Sequence, residues 1–509
     1  MSKSSASGLL SKVVFSSASA LHRVNRAIFH RVLSAETKPS SRILESFFAK
    51  NCLTVGLLYV VSFGLSLTLP NAYFWDDWIN YFGKTGNQVR SSTGPFSGFS
   101  PLRLVMEGWM SEHWISGFRI LTFLLFPLAA VSLHGVLRQI SFFTSSEKFA
   151  LVSLFLLLPV NSARHSMTIL MYSSCYASFF VGWWLYSRND RWILRALSLI
   201  FFLNSFDTAS LIFFMAVPLA VSLYCDRREG SSVVVWAVRN VVFVAAPLAY
   251  WIIEPRLNPT LDAVRAEYYT PKTSGVLRGF VLLFILGSIV MYGLLVRKWR
   301  YASHRGQIQF IVGLIVMWIG IFPYMTLGHF PNLESLMISF IPGQSDWDSR
   351  HQLLLPLGLA LSIVGALNYL AVMNLWRGVF PILIFSSLLN LTFTQEYYLD
   401  SIKTSAILNQ LADREDLVGV RNVLIDDQAL RFNARGRRIR TYEWDTMLNA
   451  TKSTEQISSE VSRFIDCENF KPEALITITA ARGKLMTLLT RDPKINVSVE
   501  ALSLCPNQE

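Results

Sequence analysis

About eleven stretches of this chain are too apolar and too long to be kept in water, and this constrains the fold before any motif does. A helix needs about twenty apolar residues to cross a bilayer. Candidates run at 51–70, 117–139, 148–162, 166–187, 192–206, 208–225, 232–253, 277–297, 307–327, 352–373 and 376–394. Two close-set pairs, 148–162 with 166–187 and 192–206 with 208–225, read as helical hairpins with tight outer turns. Composition agrees: 52% of the 509 residues are hydrophobic and 16% are charged, against about 25% charged in soluble domains. The expected fold is an α-helical polytopic membrane protein of about eleven transmembrane helices.

The formal charge is +12, but no basic stripe for nucleic acid is present. Lys and Arg fall instead in short clusters between apolar runs. Arg138 and Lys148, then Arg188, Arg191 and Arg195, then Arg227 and Arg228 lie in alternate loops. Arg297, Lys298, Arg300 and Arg305, and finally Arg377, continue the series, which is the positive-inside pattern for a cytoplasmic N-terminus. An odd number of spans then sends the C-terminus outside. Residues 1–35 carry Lys3, Lys12, Arg23, Arg26 and Arg31 and no acid. Mitochondrial presequences share this composition; here residues 1–50 are read as a cytoplasmic basic tail, ahead of a transmembrane domain over 51–394.

From residue 395 charged residues return. A polar helix (395–415), strand-like VRNVLI (420–425), a basic turn FNARGRRIR, a helix near 453–466, and strand-like ALITIT (474–479) and INVSVEAL (495–502) make a small C-terminal α/β soluble domain over 395–509. The basic turn is suited to lipid headgroups or an anionic acceptor. Five cysteines without a CxxC pair exclude a typical zinc or thioredoxin motif. Cys467 and Cys505 are either bonded or two separate thiols. Sequons begin at Asn390, Asn449 and Asn496, as an outer location permits. There is no P-loop, GxGxxG or GxSxG.

Ionisable groups at membrane depth are costly and mark function. Asp76 and Asp77, in FWDDW on the outer loop 71–116, can act as a general base or hold a divalent cation. Their bland reading is an aromatic belt with two solvated acids. Arg350 and His351 precede the tenth span, where Arg350 offers a planar fork for phosphate or simply snorkels. Arg164 and His165 occupy the turn between spans three and four, and Arg119 enters span two from the same side. Asp207 orients a cation or caps span six. Glu107 and His113 lie on an amphipathic stretch (101–116) that reads as an interfacial helix.

An acidic pair beside aromatics at the outer end of the first span resembles the polyprenyl-phosphate-dependent glycosyltransferases of the type C membrane fold (GT-C). Residues 101–116 match that family's surface helix and 395–509 its soluble outer domain; the motif itself is two residues long. The resemblance implies a bacterial inner-membrane enzyme that transfers a sugar, with inversion, from a polyprenyl-phosphate-linked donor to a lipid, glycan or protein acceptor. Asp76 or Asp77 would be the base. Arg350, His351, Arg164 and His165 would bind the donor phosphate, with Asp207, Arg119 and Glu107 in support. Some members use Mg or Mn, which Asp76 and Asp77 would hold. Two other readings stand beside it. A transporter or flippase for envelope glycans is expected to show broken helices and paired repeats. An O-antigen ligase or polymerase centres on a large mid-chain outer loop with Arg and His, whereas the acidic pair here lies early.

Overall fold

The computed structural model describes residues 42–69, 72–75, 77–78, 115–167, 169–188, 191–257, 272–295, 304–326, 352–370, 375–412, 414–451, 457–461 and 472–502. The chain divides into two units, 1–57 and 58–509. The first contributes only the opening turns of α1 (Arg42–Phe63); every other element belongs to the second.

The helices that follow are α2 (Ile115–Gln139), α3 (Ser145–Leu157), α4 (Ile169–Ser187), α5 (Trp192–Ser205), α6 (Ala209–Phe214) and α7 (Ala216–Arg228). Then come α8 (Val233–Leu257), α9 (Thr273–Leu295), α10 (His304–Thr326), α11 (Leu355–Tyr369) and α12 (Leu375–Ala412). Helices lie at each expected place, and among the described residues six are long and apolar enough to cross a membrane: 51–68, 117–139, 210–228, 233–253, 304–326 and 375–412. The count of about eleven is not reached on that measure. Proline explains one shortfall. Pro159 forces Leu158 into extended backbone (ψ 132) and ends α3 after 13 residues. Large apolar side chains line the outside of the helices, among them Val234, Val238, Leu248 and Trp251 on α8, as a membrane protein requires.

Two devices lock the bundle. α10 and α11 approach through small residues: a Cβ on Gly313 would sit 2.4 Å from Ser362 N, and one on Gly358 2.4 Å from Met317 N. Backbones this close are the helix packing that lipid, with no hydrophobic force between helices, favours. At one end Thr144 and Glu147 form a capping box on α3. The buried Glu147 carboxylate also takes bonds from Arg305, Gln309 (3.2 Å) and Asn368 (2.7 Å), tying α3 to α10 and α11. Asn390, the first sequon residue, is buried and donates to Leu157 O at 2.7 Å; it is a packing residue, closed to glycosylation.

The boundary expected at 394/395 falls inside one helix, since α12 runs unbroken for 38 residues from the bundle into the C-terminal domain. There the chain forms β1 (Asn422–Asp427), α13 (Thr441–Thr451), β2 (Ser458–Val461), β3 (Ala474–Ala480), α14 (Lys484–Thr490) and β4 (Ile495–Ala501). The sheet order is β2-β1-β3-β4. β1 pairs parallel with β2 and β3, and β4 closes the edge antiparallel to β3. Residues 458–461, expected in a helix, are strand: Ser459 and Val461 follow a period of two beside Val423 and Ile425. Trp444, Met447, Ile476, Ile478 and Val497 form the core together with Ile407 and Leu411 of α12.

Candidate functional site

The segment Phe74–Trp78 closes on itself. Asp77 N and Trp78 N donate to Phe74 O and Trp75 O, both at 3.1 Å, and Phe74 N returns a bond to Asp77 Oδ2 at 3.1 Å. This is the local turn that Asp side chains favour. Trp75 takes a left-handed backbone (φ 51), uncommon for an aromatic and held only when surroundings enforce it. The C-terminal domain does so. Glu443 on α13 accepts Trp75 N at 3.2 Å. The Trp75 ring packs on Tyr397 (5.5 Å), with the Arg437 guanidinium 5.2 Å from it. Trp78 is buried in the domain core. Both tryptophans, read from sequence as anchors at the membrane surface, are interior residues.

Two arginines of the basic turn are also interior, while Arg438 and Arg440 are exposed. Arg437, 2% exposed, bonds Asp400 on α12 at 3.0 Å and Glu443 at 2.6 Å. Arg435 is buried over Phe393 (4.2 Å). Neither faces headgroups or an acceptor. Burial raises the affinity of Glu443 for its proton, opposed by Arg437, whose own pKa is raised by Glu443 and Asp400 against the cost of burial. The triad is a buried ion network that fixes the domain on α12 and on the acidic turn.

Asp77 is fully buried and joins that turn to the segment between α3 and α4. Its Oδ1 accepts the Ser166 hydroxyl at 2.7 Å and its Oδ2 accepts Met167 N at 2.9 Å. Arg119, on α2, donates to His165 O (2.8 Å) and to Ala72 O, so one guanidinium bridges carbonyls of both segments. Arg164 lies between aromatic faces, 3.6 Å from the Phe63 centroid and 3.8 Å from that of Phe126, and donates to the Tyr59 hydroxyl at 3.2 Å. Burial lowers its pKa, yet a guanidinium stays charged at neutral pH. No carboxylate pairs with it among the described residues.

A small cleft of about 20 Å³ is lined by Tyr59, Phe63, Arg119, Thr122, Arg164 and His165, with Ser166 and Met167. Arg119 Nε, Thr122 Oγ1 and His165 Nδ1 are buried there without a hydrogen-bond partner. Buried polar atoms are normally satisfied, so three around one cleft mark a place for a bound water or another small polar group. His165 sits 3.4 Å from Thr394 Oγ1 and packs on Tyr397 at 4.5 Å. Burial, then Arg164 and Arg119, holds its pKa well below the usual imidazole range. It is neutral near pH 7 and offers a single N–H.

Of the residues singled out in the sequence, the structure brings together Asp77, Arg119, Arg164 and His165. Asp207 lies half-buried between α5 and α6, away from the cleft lining. The N-cap of α6 is Thr208, whose side chain makes no capping bond. Asp76, Glu107, His113, Arg350, His351, Cys467 and Cys505 lie outside the described residues. Tyr59, Thr122, Ser166 and Glu443 carried no motif that would single them out. Among the described residues no three His, Cys, Asp or Glu gather as cation ligands do, and Asp77 already accepts three donors. Asp76, the other residue expected to hold Mg or Mn, lies outside the described residues.

Fold and site together define a helical membrane protein with a net cationic, partly apolar cleft beside a docked α/β domain. No protein-family model matches the chain, and no curated protein matches it.

Proposed function

We propose that this protein is a membrane glycosyltransferase, using a polyprenyl-phosphate-linked sugar as donor and a hydroxyl on a lipid, glycan or protein as acceptor. The observation that carries the reading is the buried Arg164, without a carboxylate partner among the described residues, sharing one cleft with Arg119 and three unsatisfied polar atoms. A buried cation without a counter-ion is costly, and a phosphate bearing a lipid chain supplies both the missing charge and an apolar tail for Phe63 and Phe118. Planar guanidinium groups suit it better than ammonium.

In this mechanism the acceptor oxygen attacks the anomeric carbon from the face opposite the phosphate, the carbon–oxygen bond to phosphate breaks, and the configuration inverts. The acceptor proton passes to Asp76. Charge developing on the departing lipid phosphate is stabilised by Arg119 and Arg164, and neutral His165 donates one hydrogen bond. Asp77 takes a different role from its neighbour: it holds Ser166, Met167 and, through charge, Arg119 in place. The alternation of basic loops supports an outward-facing site. In keeping with it, residues from expected inner loops or helix ends pair with each other, Arg228 with Ser141 and both Arg305 and Asn368 with Glu147, while Asp77 meets Ser166 and Met167.

Purified full-length protein given a polyprenyl-phosphate sugar and an acceptor extract is expected to release polyprenyl phosphate. Asp76→Asn should reduce release by roughly a thousandfold, and Arg164→Ala should weaken donor binding. Transport of the lipid-linked sugar without its cleavage, unaffected by Asp76→Asn, would replace this reading with a flippase.

A further inference from the structure

The cleft beside Arg164 holds more positive charge and more idle polar atoms than its own residues consume. Its free space of about 20 Å³ is room for one body the size of a water molecule. Arg119 and Arg164 both line it, and no carboxylate does. Asp77 acts on Arg119 through charge and offsets one of the two guanidinium groups. Arg164 is met instead by Phe63, Phe126 and the Tyr59 hydroxyl, whose own proton is spent on Phe123 O at 2.6 Å. One buried positive charge is therefore left without a carboxylate among the described residues.

Three unpartnered atoms belong to the same lining, on side chains no more than 5% exposed. Arg119 spends its two terminal nitrogens on His165 O and Ala72 O, which leaves Nε–H. Thr122 stands three residues farther along α2, on the face that Arg119 occupies, with an idle hydroxyl. His165 offers Nδ1, while its Nε2 lies 3.4 Å from Thr394 Oγ1, a hydroxyl that can turn its proton to the ring. With Nδ1 protonated the three atoms are all donors, as an anion requires; with Nε2 protonated the ring presents a lone pair, as a water would use. The uncompensated guanidinium decides for the anion, because a buried charge without a counter-ion is costly.

We propose that the cleft is a site for a monatomic anion, chloride, held by Arg119 Nε–H, Thr122 Oγ1–H and His165 Nδ1–H and balancing the charge of Arg164. A phosphate group, with five heavy atoms, exceeds the space and enters only by widening it. Donor phosphate and chloride therefore exclude each other in the transfer reaction proposed above, but the ion site does not rest on that reaction.

Equilibrium binding of radiolabelled chloride to the full-length protein in detergent tests this, with gluconate holding the ionic strength constant and neither donor nor acceptor present. One saturable chloride per chain is expected, displaced by bromide. Thr122→Val keeps the shape and removes the hydroxyl, and should lower the affinity roughly tenfold, while Thr122→Ser should bind as wild type does. Arg164→Gln removes the uncompensated charge and should weaken binding at least as much; it also serves where Thr122→Val does not fold. Absence of saturable binding overturns the proposal, since a water then fills the cleft. So does saturable binding that either folded variant leaves at wild-type affinity, since the ion then sits elsewhere. Both results leave the transfer reading untouched, and a chain that binds chloride without transferring sugar leaves the ion site standing.

Discussion

At the residue scale the two aspartates of one motif are separated by what their oxygens touch. Asp77 accepts three hydrogen bonds, so Asp77→Asn places an amide donor against other donors. It should cost roughly 1.5–3 kcal/mol of stability, read as a lowered thermal midpoint, whereas Asp76→Asn should leave that midpoint unchanged while stopping turnover. Arg164→Lys keeps the charge but loses the flat stacking between Phe63 and Phe126. Donor affinity measured by titration should fall about tenfold. His165 adds a pH dependence. Its folded-state pKa lies well below the usual value near 6.5, so below about pH 6.5 the unfolded chain binds a proton that the folded chain refuses. Stability is full above that pH and declines as pH falls, by up to about 1.4 kcal/mol per unit from this group. His165→Gln should flatten that part of the melting profile.

At the scale of elements, the C-terminal domain acts on the acidic turn. Trp78 lies in its core and Glu443 holds Trp75 N, while Arg437 neutralises Glu443 and Asp400 together. Arg437→Ala leaves two buried carboxylates without their cation and should cost about 3–5 kcal/mol. Calorimetry of the detergent-solubilised protein reads this, and a midpoint equal to wild type would show that the network does not hold the domain. The α10–α11 seam makes a separate demand. Gly358→Ala sets a Cβ 2.4 Å from Met317 N, and overpacking of this kind costs roughly 1–3 kcal/mol. The existence and type of most of these elements were legible, since apolar length marks helices and alternation marked β1, β3 and β4. Where the short helices end was less so: Pro159 was visible, but whether the helix resumes after it depends on how the chain then packs toward Ala163.

For the whole molecule, the orientation proposed above from the positive-inside pattern would put the C-terminal domain and Asp77 on the outer face. A phosphatase reporter, active only outside, should be active when fused after Glu509 and silent when fused after Arg228. The reverse pattern would move the cleft to the cytoplasmic face and with it the class of donor available.

The sequence by itself determined a membrane-type helical bundle, a terminal α/β domain and a short list of charged residues, because apolar length, charge alternation and periodicity are local properties. It also pointed to Asp77, Arg119, Arg164 and His165, since charge near membrane depth is rarely retained without use. Tertiary structure alone decided that these four meet, that Asp77 faces Ser166 and Met167 while Trp75 and Trp78 face the distant domain, and that Arg435 and Arg437 are interior. Those outcomes depend on contacts between residues up to 368 positions apart, and no local pattern encodes which buried partner will neutralise a charge.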